Sequence, residues 1–250
     1  MDNIKIAFFD IDGTLTNSNK IITDKTKESL KYLHNKGVKL VLASGRFDDF
    51  ALEYNKDLNV FDYLICNNGA EIIDINNNKL IYFDNLTTKL DLIINNINTK
   101  NIIFNGLHKE YTLEDNYKEN NIYQVVAITK TKEEVNNIIE FTKKNDLKVT
   151  YISSAYYKDI DTGRYTTNIN LENTSKGHAI KILLSILNIS KDDSICFGDN
   201  DNDISMFNEC GIKVAMDNGM KELKDMADYI TLNNNEDGVA HFINEYIKRQ

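Results

Sequence analysis

The sequence has few basic residues, few cysteines and no long apolar run. Its 250 residues include 38 acidic and 29 basic side chains, which gives a formal net charge of −9. This balance argues against a nucleic-acid partner, because phosphate backbones are bound through basic surfaces. The apolar runs are only as long as strands, and no N-terminal stretch has the charged start and apolar centre of a signal peptide. We therefore expect no membrane partner and a cytoplasmic location.

Cysteine and histidine are too sparse to predict a zinc site. The three cysteines, Cys66, Cys196 and Cys210, lack the Cys-x-x-Cys spacing, and the four histidines are scattered without ligand spacing. Two of the cysteines fall in predicted core strands, which favours buried free thiols in a reducing compartment. Proline is absent, and no function follows from its absence.

The most informative stretch of the chain is residues 4–14. An apolar, β-branched run there ends in Asp10-Ile11-Asp12-Gly13-Thr14, as a buried parallel strand does where it leaves a sheet. Residues two apart point to the same side of an extended chain, so the carboxylates of Asp10 and Asp12 project together. Two anions so close need a neighbouring cation or a shared proton. A plain strand followed by an Asp-Gly turn explains the pentapeptide alone equally well.

The same arrangement, a buried strand that ends in small polar residues, recurs along the chain. Strands predicted at residues 38–43 and 63–66 end in Ser44-Gly45-Arg46 and Asn67-Asn68-Gly69-Ala70, and helical segments separate the strands. Later, a helix that begins near Ser175-Lys176-Gly177 and a strand at residues 194–197 lead into the acidic run 198–203. This alternation predicts an α/β fold with a doubly wound parallel sheet, whose ligands bind at the carboxyl ends of the strands.

Residues 83–171 follow a different pattern. Helices are predicted at 86–97 and 132–144, and short strands at 101–113 (two strands), 122–128, 149–152, 156–160 and 166–171. This mixture predicts an inserted α+β domain with its own small sheet, which leaves residues 1–82 and 172–250 as the two parts of the core. Because both crossings lie near the predicted site, a hinge there would let the insert close as a lid.

Four segments of the predicted core bring charged and polar groups to one crevice. They are the ends of three strands and the start of one helix, and they carry Asp10 and Asp12, Ser44 and Arg46, Lys176, and the acidic run 199–203. Clustered carboxylates need a divalent cation, and oxygen ligands without His or Cys favour Mg²⁺. A hydroxyl and a lysine that face those acids suit the oxygens of a phosphoryl group. The crevice therefore suits phosphoryl transfer.

These motifs, in their order along the chain, resemble those of the Cof-type phosphatases of the haloacid dehalogenase superfamily. The resemblance covers the whole chain, and the insert is similar to the large α+β cap, of C2B type, in that subfamily. It implies a Rossmann-like core. It also implies that Asp10 is the nucleophile that forms an aspartyl-phosphate, and that Asp12 is the general acid that protonates the leaving alcohol and then activates water. Ser44 and Lys176 would hold the transferring phosphoryl group.

The resemblance also implies a Mg²⁺ site. The metal would be bound by Asp10, by the backbone carbonyl of Asp12 and by Asp199, with Asp203 in support. These four residues are the metal-site candidates of the chain.

Substrate contacts follow from the same resemblance. Asn202 would touch phosphate or metal, and Arg46 and Asn68 lie where the family contacts substrate. Arg46 and an enclosed site under a large cap indicate a small phosphorylated metabolite, such as a sugar phosphate or a nucleotide. Arg164, in the insert, reaches a substrate anion on one interpretation and is a surface charge on another.

Each motif also has an ordinary structural explanation. Ser44 suits a helix N-cap, and a single lysine such as Lys176 is usually solvated. The alternation of acids in residues 199–203 is that of a calcium loop. However, Ile204 and Cys210 stand where such a loop needs Gly and Glu, so the calcium interpretation fails.

The sequence thus predicts a Mg²⁺-dependent phosphatase of small metabolites. One alternative is a sugar phosphomutase of the same superfamily, which shares the first motif. Another, from a different class, is a phospho-acceptor regulatory domain, but such domains are about half this length and have no lid. The sequence favours neither a monomer nor a homodimer.

Overall fold

The computed structural model of the protein describes residues 3–46, 48–56, 58–107, 109–157 and 160–248. The chain divides into two compact units. The first combines the residues up to Tyr82 with those from Ser175 onward, and the second is the intervening segment Phe83–Thr174. Residues 172–174, which the sequence pattern assigns to the core, belong to this second unit. No helix among the described residues is both long and apolar enough to span a membrane.

The described residues of the first segment form five strands and two α-helices. They are β1 (Ile6–Phe9), α1 (Asp24–Asn35), β2 (Lys39–Ala43), α2 (Asp48–Leu52), β3 (Tyr63–Cys66), β4 (Glu71–Asp74) and β5 (Lys79–Phe83). The hydroxyl of Thr23 caps α1 by accepting a hydrogen bond from the backbone N–H of Thr26. The hairpin of β4 and β5 is not predicted by the sequence.

In the second unit, the residues that the structure describes form a five-stranded antiparallel sheet and two α-helices. Its elements are α3 (Leu90–Asn96), β6 (Ile102–Gly106), β7 (Lys109–Thr112), β8 (Ile122–Thr129), α4 (Lys132–Lys143), β9 (Leu147–Tyr157) and β10 (Ile160–Leu171), and the strand order is β7-β6-β8-β10-β9. The prediction of three short strands after residue 148 is wrong. The polar residues Ser153 and Ser154, which interrupt the sequence pattern, are paired with Thr166 and Tyr165 within two long strands.

The last segment of the chain returns to the first unit. It contains α5 (Lys176–Leu187), β11 (Ser194–Gly198), α6 (Ile204–Glu209), β12 (Ile212–Ala215), α7 (Lys221–Met226), β13 (Tyr229–Ile230) and α8 (Gly238–Phe242). The eight-stranded sheet has the order β13-β12-β11-β1-β2-β3-β4-β5. The pairs from β13 to β3 are parallel, whereas β3 and β4 are antiparallel. The predicted α/β fold is confirmed, with a mixed rather than wholly parallel sheet.

Apolar side chains cover both faces of this sheet. Successive residues of a strand point to opposite faces. Ala7 and Phe9 of β1 accordingly belong to one buried cluster, and Ile6 and Phe8 belong to another. Strands buried on both faces are typical of parallel α/β sheets, and they leave the carboxyl edge as the place where polar groups can gather.

Candidate active site

The candidate site begins at the carboxyl ends of three neighbouring parallel strands. Phe9, the last residue of β1, is paired in register with Leu42 of β2 and with Phe197 of β11. Each of these strands is followed within two residues by a polar side chain. Those side chains belong to Asp10, Ser44 and Asp199.

A buried lysine connects two of the predicted acidic residues. Lys176 is the first residue of α5, and its ammonium lies 2.6 Å from Oδ1 of Asp10 and 2.7 Å from Oδ1 of Asp203. Its side chain is 0% exposed, so the alternative of a solvated lysine is wrong. Burial alone would lower the pKa of Lys176, but the charges of Asp10 and Asp203 raise it, and the side chain stays protonated.

Three carboxylates lie close together here, and two of them, those of Asp10 and Asp203, contact the ammonium of Lys176. One oxygen from each of Asp10, Asp199 and Asp203 lies within 4.8 Å of the others. Burial raises the pKa of Asp10 against the opposing charge of Lys176, and the charge of Asp203 raises it further. Burial also raises the pKa of Asp199 to about 6, although a hydrogen bond from Thr14 opposes the shift. The three carboxylates and the ammonium of Lys176 together have a formal charge of −2. Hard oxygen donors with such a surplus of negative charge fit a divalent cation such as Mg²⁺.

Asp203 is hydrogen-bonded both to Lys176 and to the backbone that carries Asp199. One of its oxygens accepts hydrogen bonds from the backbone N–H groups of Asp199 and Asn200, at 2.9 and 3.0 Å, and the other accepts from Lys176. Its side chain is fully buried. Asp203 therefore fixes the turn that carries Asp199, which suits the supporting role that the resemblance implies.

Asp12 faces two cations of its own. Nε and Nη2 of Arg46 donate to its two oxygens at 2.6 and 2.7 Å, and the ammonium of Lys20 donates at 2.8 Å. Burial would raise the pKa of Asp12, but the hydrogen bonds from Arg46 and Lys20 lower it. The carboxylate of Asp12 is outside the group formed by Asp10, Asp199 and Asp203. The contact of its backbone carbonyl with a metal stays a prediction. The sequence analysis did not identify Lys20.

Three further predicted residues of the first unit, Ser44, Asn68 and Asn202, lie on the turns after β2, β3 and β11. The hydroxyl of Ser44 is buried and accepts a hydrogen bond from the backbone N–H of Arg46. Because α2 starts only at Asp48, Ser44 is not its N-cap. Nδ2 of Asn202 donates to Oδ1 of Asn68 at 3.2 Å, so the structure brings these two candidates together.

The turn that carries Asn68 is held by a contact between Asn67 and Glu71 that the sequence does not predict. Asn67 and Asn68 adopt φ of 52° and 55°, and Gly69 follows at 99°, so the chain makes a left-handed turn. Nδ2 of the buried Asn67 donates to Oε1 of the buried Glu71 at 3.0 Å. A Cβ on Gly69 would lie 2.1 Å from the carbonyl oxygen of Ser175, so the turn packs closely against the start of α5. The Asn-Asn-Gly sequence predicts the turn, but it does not predict the hydrogen bond to Glu71.

Comparison with known proteins identifies the family. A sequence model of the haloacid dehalogenase-like hydrolases matches residues 7–243. The chain belongs to this family. The 5-amino-6-(5-phospho-D-ribitylamino)uracil phosphatase YcsE of Bacillus subtilis is 29% identical over 252 residues, which cover 98% of this chain and 96% of that protein.

Solved structures agree with this assignment. The crystal structure of TM0651 from Thermotoga maritima matches with a TM-score of 0.78 and 25% identity, covering 96% of this chain and 97% of that one. A haloacid dehalogenase-like hydrolase from B. subtilis matches with a TM-score of 0.76 and 22% identity, covering 98% and 100%. The predicted superfamily and fold class are confirmed, and so is the predicted enzyme class, a phosphatase of this superfamily.

Proposed function

We propose that the protein is a Mg²⁺-dependent phosphatase that hydrolyses small phosphorylated metabolites, sugar phosphates or nucleotides, through an aspartyl-phosphate on Asp10. The observation that carries this proposal is the buried contact of Lys176 with Asp10 and Asp203, beside Asp199 and opposite a separately paired Asp12. One carboxylate is held among groups that suit a metal and a phosphate, and a second is held apart from them. This separation supports a role as nucleophile for Asp10 and a role as general acid and base for Asp12.

The metal would be held by Asp10, Asp199 and the backbone carbonyl of Asp12, with Asp203 in support. When bound, Mg²⁺ would neutralise negative charge on the carboxylates and on the phosphoryl oxygens. The surplus of carboxylates over ammonium groups at Asp10 supports this assignment, because an uncompensated buried charge is costly.

Asp10 is suited to attack phosphorus. Its carboxylate oxygen would form a bond to phosphorus as the bond to the ester oxygen breaks, and the departing oxygen would take a proton from Asp12. Water would then attack the aspartyl-phosphate, giving its proton to Asp12, and the bond from phosphorus to Asp10 would break to release phosphate.

Asp12 must carry a proton at the first of these steps. Arg46 and Lys20 favour its ionised form, which is the form that takes a proton from water at the second step. A phosphate dianion bound beside Asp12 raises the proton affinity of that carboxylate, because like charges repel. Substrate binding would therefore favour the proton-donating form.

The substrate class has support from one relative. By its name, YcsE of B. subtilis acts on a small phosphorylated molecule that contains a ribityl chain and a pyrimidine. A small phosphorylated metabolite is accordingly the class we propose for this chain.

The test is phosphate release from a panel of sugar phosphates and nucleotides, with and without Mg²⁺. We expect the wild-type protein to release phosphate only with Mg²⁺, and Asp10→Asn to release none while its circular dichroism spectrum is unchanged. Asp201→Asn, an exposed residue of the same acidic run, is the matched control and should stay active. Undiminished release by Asp10→Asn would refute the proposal. An isomerised sugar phosphate without free phosphate would favour a mutase, and a long-lived phospho-Asp10 would favour a regulatory domain.

A further inference from the structure

Asp12 is paired with more positive charge than one carboxylate requires. Arg46 and Lys20 both contact it within 2.8 Å, and the three side chains together have a formal charge of +1. Among the described residues, Lys20 forms an ion pair with no carboxylate except that of Asp12. One side of the site therefore has a surplus of positive charge, whereas the side of Asp10 has a surplus of negative charge.

This positive group is open to solvent. The side chains of Lys20, Arg46 and Asp12 are 58%, 34% and 34% exposed, in contrast to 0% for Lys176. The ammonium of Lys20 can thus exchange water for a ligand while it remains bound to Asp12, because it has three donor hydrogens. A fully buried ion pair could not bind a ligand in this way.

Lys20 is held in place by its own turn. Its backbone is left-handed, with φ of 61°, and Oδ1 of Asn17 accepts hydrogen bonds from the N–H groups of Asn19 and Ile21. Nδ2 of Asn234 donates a 2.8 Å hydrogen bond to the carbonyl oxygen of Thr16, and this bond stabilises the start of the turn. The backbone of Lys20 is therefore fixed before any ligand arrives, which lowers the part of the entropy cost of binding that comes from ordering the loop.

We propose that Lys20 and Arg46 form a subsite for a second anionic group of the substrate, a carboxylate or phosphate a few bonds from the ester oxygen. This inference rests on the proposed function, in which Asp12 donates its proton to that oxygen. Groups that contact Asp12 then lie beside the leaving group. Substrates with an anionic leaving group are preferred over neutral ones of the same size, and Lys20 determines much of that preference.

Two phosphonates that resist hydrolysis test the subsite. Phosphonoacetate carries a carboxylate where ethylphosphonate carries a methyl group, and calorimetry with Mg²⁺ present gives the affinity for each. Lys20→Asn removes the charge with a residue that tolerates a left-handed backbone. We expect it to weaken phosphonoacetate binding about tenfold, the size of one charge-assisted hydrogen bond, and ethylphosphonate binding less than about twofold.

Two further variants make the test specific. Lys20→Arg keeps the charge and should keep most of the preference for phosphonoacetate. Lys25→Asn removes a lysine of matching exposure, 57%, which pairs with Asp237 instead of Asp12, and should change neither affinity. Equal weakening of both phosphonates by Lys20→Asn, or of neither, would overturn the subsite while phosphate release still supports the proposed function. Failure of the wild-type protein to prefer phosphonoacetate over ethylphosphonate would also overturn the subsite, whereas the proposed function fails only if no phosphate is released from the substrate panel.

Discussion

The hydroxyl of Thr14 donates a 2.8 Å hydrogen bond to Oδ1 of Asp199, a residue 185 positions away in the sequence. The bond joins the turn after β1 to the turn after β11, so the Asp10–Thr14 stretch and the acidic run 199–203 form one structure. Between Thr14 and the strand, Gly13 has φ of 86°, and a Cβ there would lie 2.3 Å from the other oxygen of Asp199. The approach of these two turns therefore depends on a residue without a side chain.

Replacing Gly13 by alanine should displace Asp199. Gly37 provides a control, because it has φ of 82° and a Cβ there would have no neighbour within 4 Å. Both Gly13→Ala and Gly37→Ala should lose about 1–2 kcal/mol of unfolding free energy from the left-handed backbone. Only Gly13→Ala should also lose the rise in melting temperature that Mg²⁺ gives. An equal Mg²⁺ response in the two variants would show that the contact with Asp199 has no role in metal binding.

Removing the ammonium of Lys176 should be severely destabilising. Lys176→Met fills a similar volume but leaves Asp10 and Asp203 buried without their cation, and breaking a buried ion pair in this way costs about 3–5 kcal/mol. Urea denaturation measures the loss, and phosphate release should fall with it. Lys181→Met changes an exposed lysine of the same helix and should cost less than about 0.5 kcal/mol. Comparable losses in the two variants would mean that the buried bridge contributes little to stability.

Much of the site is predictable because it uses the ends of parallel strands. Apolar runs that stop at Asp10, Ser44 and Asp199 place three polar groups on one edge once the strands are known to be parallel. The start of α5 brings Lys176 to the same edge. Periodicity and capping residues therefore indicate which residues gather there.

Other features escape prediction because they depend on contacts that leave no local pattern. Lys20 lies in a polar loop, and its left-handed backbone and the hydrogen bonds that Asn17 accepts there direct it to Asp12. Strand β4 begins with Glu71, whose burial is evident only when the amide of Asn67 is seen to donate to it. Charged residues are rarely buried unless they are paired, and the pairing is a property of the tertiary structure.

Mg²⁺ binding should strengthen as the pH rises through about 6. Burial raises the pKa of Asp199 to about 6, and its protonated form cannot bind a metal. Without metal, a raised pKa in the folded state favours folding at low pH, and this contribution is lost as the pH rises through about 6. With Mg²⁺ the effect reverses, because the ion stabilises the ionised folded form. Burial also raises the pKa of Asp10, the second carboxylate ligand, to about 8, so metal binding should go on strengthening up to that pH. We therefore expect the increase in melting temperature on adding Mg²⁺ to be small at about pH 5 and large at about pH 8, and Asp199→Asn to abolish it, whereas Asp201→Asn retains it. An increase of the same size at both pH values would mean that Asp199 is not a ligand of the metal.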